Sequence, residues 1–259
     1  MTRYAVISDI HGNLHALTAV LNQIAALNVE RIICLGDVVG YGPRPAECLE
    51  LVARHCHHVV RGNHEEALID PRVAGTFNGA ARRAIEWTAT QLKPAHRAYV
   101  AQLPTMIEVG PERTVLVVHD SPVPGPTDYI HDRAVAAMAF RGVDLPVCLV
   151  GHTHVPAVFE TVDPDPASAL TGNNLLLHRF GEALEVDLDA DGRAICNPGS
   201  VGQPRDGDAR ASFALLEFGP GGTHRFSVQR VTYDVTAARR ELEATGLPPV
   251  LSERLAIGA

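Results

Sequence analysis

A chain of 259 residues, 46% of them apolar, can bury a sizeable core in one large domain or two modest ones. The formal net charge of −8 argues against an extended nucleic-acid-binding face. It does not exclude small anionic substrates, because these respond to local fields. The five cysteines form no CxxC pair and the first predicted strand starts near residue 3, so we expect a reducing cytoplasm and no signal peptide. No apolar run reaches the ~20 residues of a membrane span.

The first sixty residues alternate apolar strands with amphipathic helices. The predicted elements are a strand that stops at Asp9, a helix capped by Asn13, a strand at Arg31–Leu35, a helix near Ala46–Arg54 and a strand at His57–Val60. This βαβαβ order predicts a parallel sheet with right-handed crossovers.

Residues 66–103 are mostly helical by pattern, and Pro94 is expected to start a second helix there. Beyond them the pattern is mixed. We predict strands at Thr105–Val109, Thr114–Val118 and Pro146–Val150, and a short helix at Asp132–Phe140.

The last hundred residues contain short strands and turns. An Asp191-Gly192 turn between Ala183–Leu188 and Arg193–Asn197 predicts a hairpin, and Gly219 to Gly222 predict a second hairpin between Ala211–Phe218 and His224–Val231. A final helix is expected from its cap Asp234 to Gly246. We therefore expect one domain over residues 1–250, with Asp163–Asn174 as its most loop-like segment, and a loose tail over residues 251–259.

Polar side chains that can bind metal ions follow the predicted strands. They are Asp9, His11, Asp37, Asn63, His64, His119, His152 and His154. The carboxyl ends of strands are where open α/β sheets bind ligands. Oxygen and imidazole groups without a thiolate suit Mn, Fe, Co, Ni or Zn in a catalytic site. The set is too large for one ion but suits two, with Asp37 well placed as a bridging carboxylate.

The charges of such a site favour a phosphate substrate. Asp9 and Asp37 would be the only anionic protein ligands of two divalent ions, so the site would stay net positive. It would attract a phosphate ester and stabilise charge on the transferred phosphoryl group. A water bridging two metal ions would also have a lowered pKa and act as a nucleophile at neutral pH.

Five sequence blocks together resemble the calcineurin-like metallophosphoesterases. In chain order they are Asp9-Ile10-His11, Gly36-Asp37, Gly62-Asn63-His64-Glu65, His119 and Gly151-His152-Thr153-His154. The resemblance implies a four-layer α/β/β/α sandwich of two mixed sheets flanked by helices. It implies a metal-dependent hydrolase that cleaves phosphodiesters, with a metal-bridging hydroxide as nucleophile.

The resemblance also implies a role for each matched residue. Asp9, His11 and His154 would hold one metal ion, while Asn63, His119 and His152 would hold the second and Asp37 would bridge. His64 would be the catalytic residue beside the leaving group, as a general acid or oxyanion stabiliser. Manganese is the first expectation for both ions, with Fe, Ni, Co or Zn as alternatives.

One departure from the protein Ser/Thr phosphatases of this family is informative. There the second block continues as Asp-Arg-Gly, whereas Val38 follows Asp37 here. The chain looks more like the small bacterial and archaeal YfcE-like phosphodiesterases, which the block from Asn197 to Gly202 also resembles. Candidate substrate contacts are Asn13, Tyr41 and Arg205. Each has a structural alternative: Asn13 could support the metal ligands, Tyr41 could fill space under its loop, and Arg205 could be an ordinary surface charge.

Two alternatives remain open at this stage. The protein could be a phosphomonoesterase or dinucleoside-polyphosphate hydrolase, or a non-catalytic metal-bound interaction scaffold. The expected partner is a small phosphate ester, with a nucleotide among the candidates. Pairing of an exposed edge strand into a homo-oligomer is also open.

Overall fold

The computed structural model describes residues 2–123, 129–161, 175–178, 184–188 and 192–259. The expected loop Asp163–Asn174 lies outside these residues. The helices are α1 Leu14–Ala25, α2 Pro45–His55, α3 Asn63–Ile69, α4 Pro71–Thr76, α5 Gly79–Gln91, α6 Pro94–Gln102, α7 Arg133–Ala139, α8 Val235–Glu243 and α9 Val250–Ile257. The strands are β1 Thr2–Ile7, β2 Arg31–Cys34, β3 His58–Val59, β4 Met106–Val109, β5 Val115–Val118, β6 Val147–Leu149, β7 Ala157–Thr161, β8 Leu175–His178, β9 Leu184–Leu188, β10 Ala194–Asn197, β11 Ala211–Phe218 and β12 His224–Val231.

The strands form two mixed six-stranded sheets. The first has the order β3-β2-β1-β11-β12-β9 and the second the order β4-β5-β6-β10-β7-β8. Strands β1, β2 and β3 are parallel neighbours, as the βαβαβ pattern predicted. In the second sheet β5, β6 and β10 are parallel neighbours, while β4, β7 and β8 pair antiparallel. The predicted β11–β12 hairpin is confirmed by an antiparallel register that runs from Ala211↔Val231 to Phe218↔His224.

Alternate residues of β1 show how the layers stack. Val6 belongs to a core that the two sheets share, together with Val117 of β5 and Leu149 of β6. Ala5 and Ile7 face the other way, into a second core with helices α1 and α2. Beyond the second sheet, α7 packs on a third apolar cluster. The result is helix, sheet, sheet and helix, so the expected four-layer sandwich is confirmed.

The predicted hairpin around Asp191-Gly192 is wrong. Asp191 lies outside the described residues, but its two flanking strands belong to different sheets. Strand β9 pairs with β12 in the first sheet, and β10 pairs with β6 and β7 in the second. The local Asp-Gly signal fits any reversal of the chain, whereas the partners of each strand are set by contacts distant in sequence.

The C-terminal segment, expected to be loose, forms helix α9 instead. Leu251 and Leu255 are buried in the core that lies outside the first sheet, and burial of each leucine contributes about 1.5–3 kcal/mol. The N–H of Gly207 also donates to the carbonyl of Gly258 at 2.9 Å. The sequence reading took the two prolines before Val250 as a stop, but proline also begins helices. Over the part of the chain that the structure covers, no helix has both the length and the apolar character to cross a bilayer.

Candidate metal centre

The predicted ligands meet at one edge of the two sheets. Asp9 and His11 follow β1, Asp37 follows β2, His119 follows β5, His152 and His154 follow β6, and Asn63 and His64 open helix α3 just after β3. All six Asp and His ligand candidates are buried. The carboxyl ends of parallel strands thus bring together side chains that are up to 145 positions apart in the sequence, from Asp9 to His154 (154 − 9).

The ligand atoms form clusters that Asp37 connects. Asp9, His11 and His154 make one cluster and Asp37, His119 and His152 another, each with its ligand atoms within 4.8 Å of one another. Asp37 Oδ2 lies 3.7 Å from His11 Nε2 and 3.3 Å from His119 Nε2. One carboxylate therefore contacts imidazoles of both clusters, which is the position a bridging ligand needs.

Backbone carbonyls orient three of the four imidazoles. The Nδ1 atoms of His11, His119 and His154 lie 2.9, 2.8 and 2.6 Å from the carbonyl oxygens of residues 39, 35 and 203, respectively. Because a carbonyl can only accept, each Nδ1 carries a proton and donates it. The Nε2 atoms are left to face the site, as in metal-ligating histidines whose other nitrogen is held by a carbonyl.

Two buried polar atoms in the site show what it is built to hold. Asn63 Oδ1 and His119 Nε2 are buried and form no hydrogen bond of good geometry with a described residue, although the Asp37 carboxylate lies 3.3 Å from His119 Nε2. A buried polar atom without a partner costs about 1–3 kcal/mol, and a metal ion would satisfy both atoms. The nitrogen and oxygen donor set fits a catalytic transition-metal site.

The imidazoles are tuned by burial and by nearby carboxylates. Burial lowers the pKa of His11 and of His154 well below the usual range, and with the charge of His119 it lowers the pKa of His152 to about 3. These three rings are therefore neutral, as metal ligation requires. Burial also opposes charge on His119, but the carboxylates of Asp37, Asp9 and Asp120 together outweigh it and raise that pKa to about 10. An ion that binds at His119 displaces that proton.

Five of the ligand candidates adopt a backbone conformation that most residues avoid. Asp9, His11, Asp37, His152 and His154 have φ between 48° and 66°. The left-handed region disfavours any residue with a Cβ, although Asp and His tolerate it better than most. Strain of this kind persists where the surrounding structure enforces it, and it clusters at functional sites. Its repetition around one centre marks these loops as a built site.

Sequence reasoning missed Glu65, which holds the loops together. Its fully buried carboxylate accepts hydrogen bonds from the N–H groups of Asp37 at 2.7 Å, Val39 at 3.0 Å and Gly62 at 3.0 Å. Burial, with the nearby charge of Asp37, raises the pKa of Glu65 to about 7, and the backbone donors oppose that rise. A glutamate three residues after a helix cap is a capping-box signal, so the sequence did carry a hint of this role.

Removal of the Glu65 carboxylate is expected to destabilise the metal-free protein. Glu65→Ala leaves three buried N–H groups without an acceptor, which should cost about 3 kcal/mol or more of unfolding free energy. Urea unfolding checks the loss. The control is Glu66→Ala. The Glu66 side chain is partly exposed and forms an ion pair with Arg61, so its removal should cost about 1 kcal/mol or less of unfolding free energy. Equal losses in both variants would contradict the organising role of Glu65.

His64 lies against the ligands with its ring enclosed. The ring centroid is 4.8 Å from that of His11, 4.6 Å from that of Tyr41 and 4.8 Å from that of Phe77. Its Nδ1 is buried and has no hydrogen-bond partner among the described residues. Gly40 sits at φ +84°, and a Cβ there would overlap the imidazole. His64 also has a ring nitrogen within 4.8 Å of ligand atoms of His11 and Asp37.

The three candidate substrate contacts lie in different places. Asn13 caps α1 through Ala16 N–H at 3.1 Å and donates to the Gly202 carbonyl at 2.9 Å, so its side chain supports the loops around the ligands. Tyr41 and Arg205 line a cavity beside the metal centre. The guanidinium carbon of Arg205 lies 5.9 Å from the Tyr41 ring centroid. Asn13 is therefore held by structural contacts, whereas the other two are in a position to meet a substrate.

The segment that carries Arg205 is anchored at several points. Arg205 donates to Gln203 Oε1 at 3.0 Å, and its backbone N–H donates to the His154 carbonyl at 3.3 Å. The next residue, Asp206, forms an ion pair with Arg230 of β12, and both side chains are nearly buried. The Nε of Arg205 is buried without a partner among the described residues. Arg205 is thus held beside the ligands with donor capacity to spare.

A four-layer α/β sandwich with imidazole, carboxylate and amide ligand candidates at the ends of its strands is typical of the metallophosphoesterase class. The sequence profile of the calcineurin-like phosphoesterase superfamily domain matches residues 2–220. The chain belongs to this superfamily of metal-dependent phosphoric ester hydrolases, and the resemblance drawn from the five blocks is confirmed.

Relatives in other organisms match along the whole chain. A metallophosphoesterase from Sphaerobacter thermophilus is 41% identical, with a TM-score of 0.82 over 100% of this chain and 99% of its own. An uncharacterized protein of Methanocaldococcus jannaschii is 37% identical over 257 residues, which cover 98% of this chain and 97% of the relative. A hypothetical protein from Pyrococcus horikoshii, at 21% identity, shares the fold with a TM-score of 0.76 over 100% of this chain and 99% of its own.

Proposed function

We propose that this protein hydrolyses phosphodiesters at a centre of two divalent transition-metal ions. Asp9, His11 and His154 would hold one ion, Asn63, His119 and His152 the other, and Asp37 both. The observation that carries the proposal is the position of Asp37, whose Oδ2 contacts His11 of one cluster and His119 of the other. Manganese is our first choice, with Fe, Ni, Co or Zn as alternatives that the same donors accept.

The chain supplies a site with little negative charge of its own. Among the seven proposed ligands, Asp9 and Asp37 alone are carboxylates. When bound, two divalent ions would supply positive charge to the phosphate oxygens and a hydroxide-like nucleophile at neutral pH. Arg205 lines the same cavity, and its guanidinium, which donates to Gln203 from one terminal nitrogen, has further N–H groups for a phosphate oxygen.

His64 is the residue we propose beside the leaving group. It lines the cavity next to Asp37, and burial lowers its pKa to about 4, so the ring is neutral in the metal-free protein. A neutral imidazole can donate one N–H hydrogen bond to the oxygen of the departing alkoxide. Such a donor acts as negative charge develops on that oxygen, which is when a hydrogen bond lowers the barrier.

The charges in the cavity favour a diester over a monoester. A diester carries one negative charge, whereas a monoester carries about two at neutral pH. Of the two arginines among the described cavity-lining residues, Arg61 is paired with Glu66 at 2.6 Å, which leaves Arg205 to meet the phosphate. Asp120 also lines the cavity and would repel a dianion more strongly than a monoanion.

The test is a paired assay on metal-stripped protein reconstituted with Mn²⁺. Bis(4-nitrophenyl) phosphate should be hydrolysed faster than 4-nitrophenyl phosphate under the same conditions, and a chelator should abolish both rates. Faster monoester hydrolysis would replace the proposal with a phosphomonoesterase. Hydrolysis of dinucleoside polyphosphates alone would identify that class instead. Stoichiometric binding of Mn²⁺, Fe²⁺, Co²⁺, Ni²⁺ or Zn²⁺ without turnover of any ester would leave a metal-bound scaffold.

Gly40 offers a separate check on the position of His64. Gly40→Ala should shift the His64 ring and lower kcat/KM for the diester by about a hundredfold, because small misplacements of reacting groups are costly. The control is Gly75→Ala in α4, where a Cβ meets no atom within 4 Å. Full activity of Gly40→Ala would show that the enclosed position of the His64 ring is unimportant for turnover.

The proposed setting is the cytoplasm. All five cysteines are free thiols, and four of them are buried. Cysteines used in this way are typical of proteins from reducing compartments. The proposed partner there is a small phosphate-ester substrate, with nucleotides among the candidates, and self-association through an edge strand stays a prediction.

A further inference from the structure

The cavity beside the metal centre is larger than a phosphate group needs. Its volume is about 740 Å³, which lies in the range of cavities that enclose a whole small-molecule ligand. It begins at Asp37 and His119 and extends to Val73 of α4 and Ala81 of α5. On another side it reaches Pro122, which follows β5. The remaining space can therefore accommodate the organic substituents that are esterified to the phosphate.

Besides the buried Tyr41, two aromatic rings line this cavity, and each of these two lies against a different imidazole of the site. The Phe77 ring centroid lies 4.8 Å from that of His64, and the Tyr129 ring centroid lies 4.0 Å from that of His152. His64 clusters with Asp37 and His11, whereas His152 clusters with Asp37 and His119. Asp37 belongs to both of these groups, so a phosphate bound beside Asp37 by the proposed metal ions would have Phe77 on the His64 side and Tyr129 on the His152 side.

Both rings have surface to offer a ligand. Phe77 lies between α4 and the cap of α5, where its N–H donates to the Ala74 carbonyl at 3.3 Å and its side chain is only partly buried. Tyr129 is 50% exposed, although its ring packs on the buried His152. Aromatic faces of this kind stack on planar rings, and such stacking is insensitive to the identity of the ring.

We propose that the substrate is a phosphodiester with a planar ring on each of its two substituents, a class that includes nucleoside and aryl diesters. The leaving group packs on Phe77, because Phe77 contacts His64, the residue we propose beside the leaving group. The substituent that stays on phosphorus packs on Tyr129. This inference rests on the proposed function, since it assigns the two ester groups of a diester to two parts of the same cavity.

The experiment holds the leaving group constant and varies the other substituent. The probes are the methyl, benzyl and cyclohexylmethyl esters of 4-nitrophenyl phosphate, assayed with the Mn²⁺-loaded protein. Benzyl and cyclohexylmethyl groups have similar size and similar effects on phosphorus, so their ratio of kcat/KM isolates the planar ring. In the wild-type protein we expect a benzyl to cyclohexylmethyl ratio of about five or more.

Two variants then separate the two rings. Tyr129→Leu should bring that ratio close to one, whereas Phe77→Leu should lower kcat/KM for all three esters by a common factor and keep the ratio. Met138→Leu, an exposed substitution on α7, is the control and should change neither. Circular dichroism and metal content of each variant show that it is folded and loaded.

The possible outcomes separate a failure of this inference from a failure of the proposed phosphodiesterase function. A wild-type ratio near one, or a ratio that survives in Tyr129→Leu, would overturn the inference while ester hydrolysis itself stands. Collapse of the ratio in Phe77→Leu but not in Tyr129→Leu would overturn the assignment of the rings. Absence of turnover with all three esters in the wild-type protein would overturn the proposed function, and the inference with it.

Discussion

Asp37→Asn is expected to lower turnover by about a thousandfold or more and to reduce the bound metal to one ion per chain or fewer. The reason is geometric and electrostatic together. Asp37 Oδ2 contacts His11 Nε2 at 3.7 Å and His119 Nε2 at 3.3 Å, so loss of its charge weakens both proposed ion positions. The amide keeps an oxygen to accept the backbone N–H of His64, which Asp37 Oδ1 now accepts at 2.9 Å, so the loop should keep its shape.

The measurement is metal content by elemental analysis, together with kcat for the diester, on protein loaded with Mn²⁺ and desalted. Asp120→Asn is the matched control, because Asp120 lines the same cavity and follows a proposed ligand but belongs to none of the three clusters found among the described residues. It should retain two ions. If Asp37→Asn also retained two ions per chain, the bridging assignment would be wrong.

The edge at which the site forms was predictable because its residues follow strands. A parallel strand buried on both faces is an apolar run, and the polar residue that ends it stands at the carboxyl edge of the sheet. Asp9 and Asp37 each follow such a run in neighbouring parallel strands, so the βαβ rule predicts that they converge. His119 follows a similar run, but β5 belongs to the second sheet, and His119 reaches the other two residues only because the two sheets pack together. No sequence rule predicts the strained left-handed backbone, although five of the ligand candidates adopt it.

The parts that were missed depend on contacts between distant segments. Glu65 looked like one more member of a matched block, and nothing local showed that its carboxylate reaches the N–H groups of residues 37 and 39. Phe77 and Tyr129 lie in segments without a catalytic pattern, and only the folded chain brings their rings onto His64 and His152. Strands β9 and β10 are separated by a turn signal, but their partners lie in different sheets.

The C-terminal segment was also mispredicted because its helix depends on contacts with residues distant in the sequence. Pro248 and Pro249 read as a stop, and eight residues of marginal helix would be unstable alone. Helix α9 exists because Leu251 and Leu255 meet the core outside the first sheet. It also touches the segment behind Arg205 through the Gly207 N–H. A segment that looked dispensable in the sequence is therefore part of the wall that holds a candidate substrate contact.

His64→Ala is expected to retain both metal ions and to lower kcat by about a hundredfold to a thousandfold, the range for loss of one positioned hydrogen-bond donor to a developing oxyanion. The prediction is demanding, because a ring nitrogen of His64 lies within 4.8 Å of ligand atoms of His11 and Asp37 and could serve as a ligand instead. Metal content decides between the roles. The control is His15→Ala, a half-buried histidine on α1 that pairs with Glu241 and should leave metal content and rate unchanged.

The leaving group provides the sharper test of what His64 does. A donor to the departing oxygen matters most when that oxygen is a strong base, so the loss in His64→Ala should be larger for diesters of poor leaving groups than for esters of 4-nitrophenol. KM should change little, since the interaction develops only in the transition state. A loss of metal in His64→Ala would make His64 a ligand. An equal loss for good and poor leaving groups would mean that it stabilises the phosphoryl group and does not assist departure.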